Sequence, residues 1–134
     1  MSLTIYINSF SYIKSPIPQD HTGNGGGFVF DCRFINNPGR QEEFKTKTGL
    51  DADVIEFIQG QTAMGEFLKS VYSIVDPAIE NYIKRDFSSL LVSFGCTGGQ
   101  HRSVYAAQSL KAHIDSKFPS VKTELRHIEL EKWN

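Results

Sequence analysis

The chain has 134 residues, a formal net charge of −1, 40% hydrophobic and 22% charged residues. That size suits one domain with one core, and that balance excludes a disordered segment and a globally nucleic-acid-attracting protein. Two cysteines exclude a disulfide framework and lack the spacing of a zinc site, so no metal and no cofactor are expected. With no signal-like N-terminus and no membrane-length apolar run, the expectation is a soluble cytoplasmic protein without a membrane partner.

In chain order, "LTIYINSF" alternates as a strand near Leu3–Asn8. A proline- and glycine-rich loop, "SYIKSPIPQDHTGNGGG", follows, and "FVFDCRF" predicts a second strand over Phe28–Cys32. "INNPGRQEEFKTKTGL" is a long polar connection. Asp51 should cap a short helix that Gly60 stops. A longer helix starts near Thr62, and Asp76–Pro77 predicts a new helix or a kink, with Phe67, Val71, Ile74, Ile79 and Ile83 on its core side. "SLLVSF" is a buried strand, and "RSVYAAQSLKAHIDSKF" an amphipathic helix with Val104, Ala107, Leu110, Ile114 and Phe118 in one stripe. His113 sits at the edge of that stripe, where water is the expected neighbour. "VKTELRHIEL" supplies the last strand. The alternation predicts one α/β domain over residues 1–134, with a small, mainly parallel sheet of about four strands flanked by helices.

The chemistry concentrates in "GCTGGQHRS". A strand that turns through glycines into a helix aims unpaired N–H groups at one point, where the helix dipole favours an anion. Gly98 and Gly99 allow φ > 0 and close approach, Arg102 can fork onto phosphate oxygens, Thr97 and Ser103 offer hydroxyls, and His101 adds a titratable donor. With Cys96 and Gln100, these residues form the candidate ligand- and phosphate-binding set. The loop is not a GxxxxGK[ST] nucleotide loop, and "TGNGGGF" does not open a helix as a dinucleotide fingerprint would.

Cys96, Gly99, Arg102 and Ser103 also fit C-x-x-G-x-x-R-[ST], which resembles the signature loop of cysteine-dependent protein phosphatases. There Cys96 would be the nucleophile and Arg102 the phosphoryl clamp, with Asp31, Asp51, Asp53, Asp76 and Asp86 as positional candidates for the acid. That family usually has a histidine before the cysteine, where this chain has Gly95.

A longer resemblance covers most of the chain. "GCTGGQHRSV", "FVFDCRFINNP", "TGLDADVIEFI" and "LRHIELEK" stand in the order of corresponding segments in the C-terminal domain of the RNase adapter family RapZ. This resemblance implies binding of an amino-sugar phosphate such as glucosamine-6-phosphate, a regulatory rather than enzymatic role, RNA as a further partner, and an oligomer or partner protein. It places the ligand motif on Thr97, Gly98, His101 and Arg102, and adds Asp31, Arg33, Asn37, Arg126 and His127 as pocket neighbours. Gln100 and the terminal "WN" stand where RNA-binding members carry basic residues. The sugar-phosphate expectation is therefore the stronger one.

Overall fold

The computed structural model describes residues 2–23 and 26–133; the part of the glycine-rich loop at 24–25 lies outside the described residues. Among the described residues there are four strands: β1 (Thr4–Ser11), β2 (Gly27–Asp31), β3 (Ser89–Cys96) and β4 (Lys122–His127). Three α-helices accompany them: α1 (Ala52–Gln61), α2 (Met64–Lys84) and α3 (Arg102–Lys117). The sheet order is β2-β3-β1-β4, and every pairing is parallel. This is the expected single α/β domain, with a sheet parallel throughout.

The register explains the layering. Partnered Cα atoms share a face, so Ile5, Ile7, Phe28, Phe30, Leu90, Val92 and Phe94 project together. Val54 and Ile58 of α1, Leu68, Val71, Val75 and Ile79 of α2, and Ala107, Leu110 and Ile114 of α3 join them in one core cluster. Tyr6, Asn8 and Leu91 project the other way. With the β1–β2 loop, Ser15–Thr22, they line a groove of about 690 Å³.

β1 and β3 run further than the sequence suggested, to Ser11 and Cys96, whereas β2 is shifted by one residue to Gly27–Asp31 and β4 stops at His127. Gly60 does not stop α1. The stop falls at Thr62, whose hydroxyl donates to Ile58 O (2.6 Å) and accepts from Met64 N (3.2 Å), closing one helix and opening the next. Asp76 does not cap a new helix, since α2 runs unbroken through Pro77. Its buried carboxylate accepts from His113 Nε2 (2.9 Å) and Lys117 Nζ (2.7 Å), pinning α2 to α3. His113 accordingly does not simply face water: its ring stacks on Tyr72 at 3.9 Å. Ile74 and Ile83 lie outside the core, at 47% and 44% exposure.

Candidate functional site

The strands end together, and the chain leaves β1 toward β2 but β3 toward β4. Carboxyl ends of parallel strands at such a divergence are where open α/β sheets hold ligands. The loop 97–101 lies there. Ser11 Oγ donates to Thr97 O (2.5 Å) and Tyr12 N donates to Cys96 O (3.0 Å), tying the loop to the end of β1. Gly99 has φ +66°, and a Cβ there would sit 3.0 Å from Ser11 N and 2.7 Å from Glu129 Cγ. Only glycine suits it. Gly98 has no positive φ and no tight neighbour, so the conformational demand expected of the pair rests on Gly99 alone.

At the start of α3, His101 occupies the cap position, and its side chain makes no capping bond. Its buried Nε2 instead bonds Phe44 O (2.8 Å). Gln100 Nε2 donates to Lys45 O (2.8 Å) and Lys47 O (2.7 Å), and Gly49 N donates to Gln100 O (3.0 Å). These two residues thus lash the polar connection 38–49 across the first turn of α3. Gly49 permits the approach: a Cβ there would overlap His101 O and lie 2.8 Å from Tyr105 N.

Arg102 is buried, at 4% exposure. Its Nη1 donates to Arg33 O (2.9 Å) and Ile35 O (2.8 Å), holding the segment after β2. Nε is sealed and without a partner, a deficit of about 1–3 kcal/mol. Between the held segment and the lashed connection lies a cavity of about 450 Å³, walled by Arg33, Ile35, Asn36, Asn37, Arg40, Gln41, Phe57, Thr97 and Arg102. Arg33 is paired bidentately with Asp31 and lies 4.0 Å over the Tyr12 ring. The Arg33 guanidinium holds the Asp31 carboxyl below the usual carboxylate range. Among the described residues, Arg40 and Arg102 have no carboxylate partner.

Of the residues singled out in the sequence, Arg33, Asn37, Thr97 and Arg102 meet on this wall. Cys96, Gly98, Gly99, Gln100, His101 and Ser103 build the turn behind it without lining it. Cys96 is 2% exposed, in the core, with Sγ 3.1 Å from Ser103 Oγ. The Cys32 thiol shares that core, and burial pushes its pKa far up. Arg126 lines the groove on the other face and grips Glu131 (2.6 and 3.0 Å). His127 bonds Ser9 Oγ (2.7 Å) and Gln108 Oε1 (3.1 Å). Arg40, Gln41, Asn36 and Phe57 were missed, because only tertiary folding of the connection and α1 brings them to Arg102.

Burial lowers the pKa of both His101 and His127 from 6.5. The unfolded chain therefore takes up protons first as pH falls, so this stability is complete above about pH 6.5 and lost below it. Thermal melts should show a constant Tm from about pH 8 to 7 and a decline from about 6.5 toward 5, before carboxylates titrate. His127→Gln should flatten that slope.

Fold and site define a class: a parallel α/β domain with an arginine-walled cavity at a strand–loop–helix turn. The chain matches the RapZ C-terminal domain family over residues 3–131 and belongs to it. It is 37% identical over 126 residues to a nucleotide-binding protein of Thermotoga sp. (strain RQ2), covering 94% of this chain and 43% of that protein. It is 38% identical over 128 residues to one from Idiomarina loihiensis, covering 96% and 42%, and 36% identical over 130 residues to one from Haemophilus influenzae (strain Rd), covering 97% and 44%. The chain thus spans less than half the length of these curated relatives.

Proposed function

We propose that the chain is a regulatory ligand-binding domain that takes a phosphorylated small molecule, an amino-sugar phosphate by its resemblance, in the cavity at the start of α3. One observation carries this reading: Arg33, Arg40 and Arg102 converge with Thr97 on a polar cavity beside an uncapped helix N-terminus. Arg40 and the Arg102 Nη2 group, which makes no hydrogen bond among the described residues, receive the phosphoryl oxygens, and the α3 dipole adds partial positive charge. Asn36, Asn37 and Gln41 offer donors and acceptors to hydroxyl and amino groups. Phe57 gives the sugar ring an apolar surface.

This reading outranks phosphate-ester cleavage. The Cys96 side chain is closed off from the cavity, and the histidine usual before such a cysteine would collide at Gly95 with the Phe10 and Tyr12 rings. RNA binding is also less favoured. Among the described residues, nine of the fourteen lysines and arginines sit in ion pairs with carboxylates, which reduces the cationic surface from which RNA would release counterions. The relatives' nucleotide-binding name attaches to proteins more than twice as long, and this chain holds no GK[ST] loop.

A thermal-shift panel of sugar phosphates, their unphosphorylated sugars, ATP and GTP tests the proposal. A hexosamine phosphate at a hundredfold its Kd should stabilise by about 2.7 kcal/mol. Arg40→Gln, at an exposed site, should leave the ligand-free Tm unchanged and abolish the shift. No response to any sugar phosphate, or an undiminished response in Arg40→Gln, would refute it.

A further inference from the structure

The helices cover one face of the sheet, and the β1–β2 loop crosses the other. That loop is pinned at both ends. Near the carboxyl ends of the strands, Ser15 N and Ser15 Oγ both donate to Ser11 O (3.2 and 3.1 Å). At the opposite end, Thr22 Oγ1 lies 2.9 Å from Ser89 Oγ, at the start of β3. Between these anchors Pro16 and Pro18 restrict the backbone of the strap. Beneath it runs the groove of about 690 Å³, a volume that suits one small molecule. Its floor is Tyr6 and Asn8 of β1 with Leu91 of β3.

The floor carries an amide whose bonding capacity is largely unspent. Asn8 is buried, at 8% exposure, and among the described residues its side chain makes a single hydrogen bond, from Nδ2 to Ser93 Oγ, long at 3.4 Å. The carboxamide oxygen has no partner among those residues. Unlike Arg102 Nε it is not sealed, so it opens onto the groove that Asn8 lines. A buried amide in apolar surroundings is costly unless something pairs with it. Tyr6, two residues earlier on the same face and about 7 Å along the strand, likewise has no hydrogen-bond partner for its hydroxyl among the described residues. Arg126 stands beside Asn8 in the register, but Glu131 holds its guanidinium at 2.6 and 3.0 Å.

We propose that this groove binds a neutral ring compound with an amide-type edge, a carboxamide or a lactam, at a site separate from the arginine-walled cavity. Three observations select that class. The unspent end of Asn8 calls for a ligand edge that carries a donor beside an acceptor, so that the two amides pair reciprocally. Leu91, Ile128, Ile17 and the two prolines present apolar surface, which suits a ring better than a polyhydroxylated sugar. The pairing of Arg126 with Glu131 withholds the charge that an anion would need. The ring then lies along β1 from Asn8 toward Tyr6, under the strap. Filling the groove this way also removes the cost of the half-satisfied amide.

Protein-observed NMR on the whole chain, titrated with nicotinamide and with 2-pyridone, tests this, with nicotinate as the charged control. Both amides should shift the backbone resonances of Asn8, Leu91 and the strap 15–22 with millimolar affinity, while those of 97–102 stay in place. Nicotinate should bind about tenfold more weakly or worse. Asn8→Leu, close in volume, should raise the nicotinamide Kd about tenfold or more. Ile17→Glu changes a side chain that is 47% exposed, so the ligand-free melt should not move. It should weaken nicotinamide binding too, and leave the thermal response to sugar phosphates as in wild type. Groove resonances that ignore both amides up to their solubility, equal affinity for nicotinate, or affinity undiminished by either substitution overturns the proposal.

Discussion

Replacing Arg102 by Met should lower stability by about 3 kcal/mol and abolish ligand binding together. Arg102 Nη1 makes two charge-assisted bonds to the carbonyls of Arg33 and Ile35, each worth about 1.5–3 kcal/mol. Losing both leaves those carbonyls without their donor, while removing the unpartnered Nε returns part of the loss. For a domain of this size the drop corresponds to roughly 10 °C in Tm. Binding fails for two reasons. The cation disappears, and the segment carrying Arg33, Asn36 and Asn37 loses its anchor. Arg102→Lys keeps the charge, but its ammonium ends one atom short of Nη1 and lacks the planar fork that also faces the cavity, so it should recover little of either property. Denaturant melts of the two variants beside wild type decide this. A variant with wild-type stability would mean that the clamp carries no weight.

Gly49→Ala should be nearly as damaging although it adds one methyl group. That methyl would overlap His101 O and sit 2.8 Å from Tyr105 N, both backbone atoms in the first turn of α3. Neither can move without breaking the Tyr105 N to His101 O bond, 3.0 Å long. The connection must lift instead, and it takes with it the bonds from Gln100 to Lys45 and Lys47 and from His101 to Phe44. Overpacking of this kind costs about 1–3 kcal/mol, and the coupled polar losses place the expectation near 3 kcal/mol. Because Arg40 and Gln41 ride on the same connection, affinity for a sugar phosphate should fall as well. Hydrogen exchange would show residues 38–49 losing protection while β1 and β3 keep theirs. Unchanged protection at 38–49 would contradict the account.

Much of the fold was legible because its signals are local. Alternation marked β1, a continuous apolar run marked β3, a cap residue marked the start of α1, an amphipathic stripe marked α3, and the succession of strands and helices marked a parallel sheet. Where reading failed, tertiary partners decided. Asp76 and Pro77 look like a helix start, yet the Asp76 carboxylate is claimed by His113 and Lys117, and a helix 21 residues long carries the proline through. Gly60 looks like a stop, yet Thr62 supplies the hydroxyl that ends α1. In the site, the residues of "CTGGQHRS" were visible as a cluster, but their division of labour was not. Thr97 and Arg102 reach the cavity, whereas Gln100 and His101 hold a connection some fifty residues earlier in the chain. Arg40 carried no periodic or motif signal. Its place depends on Gly49 meeting α3, a contact that only the folded chain makes.

The most direct test is diffraction from crystals of the unmodified chain soaked in a tetrahedral oxyanion heavy enough to be identified by its anomalous signal, such as tungstate. An anion peak between Arg40, Arg102 and Thr97, within hydrogen-bond distance of both guanidinium groups, is the predicted result. Anion peaks elsewhere on the surface, with that cavity empty at saturating concentration, would contradict it.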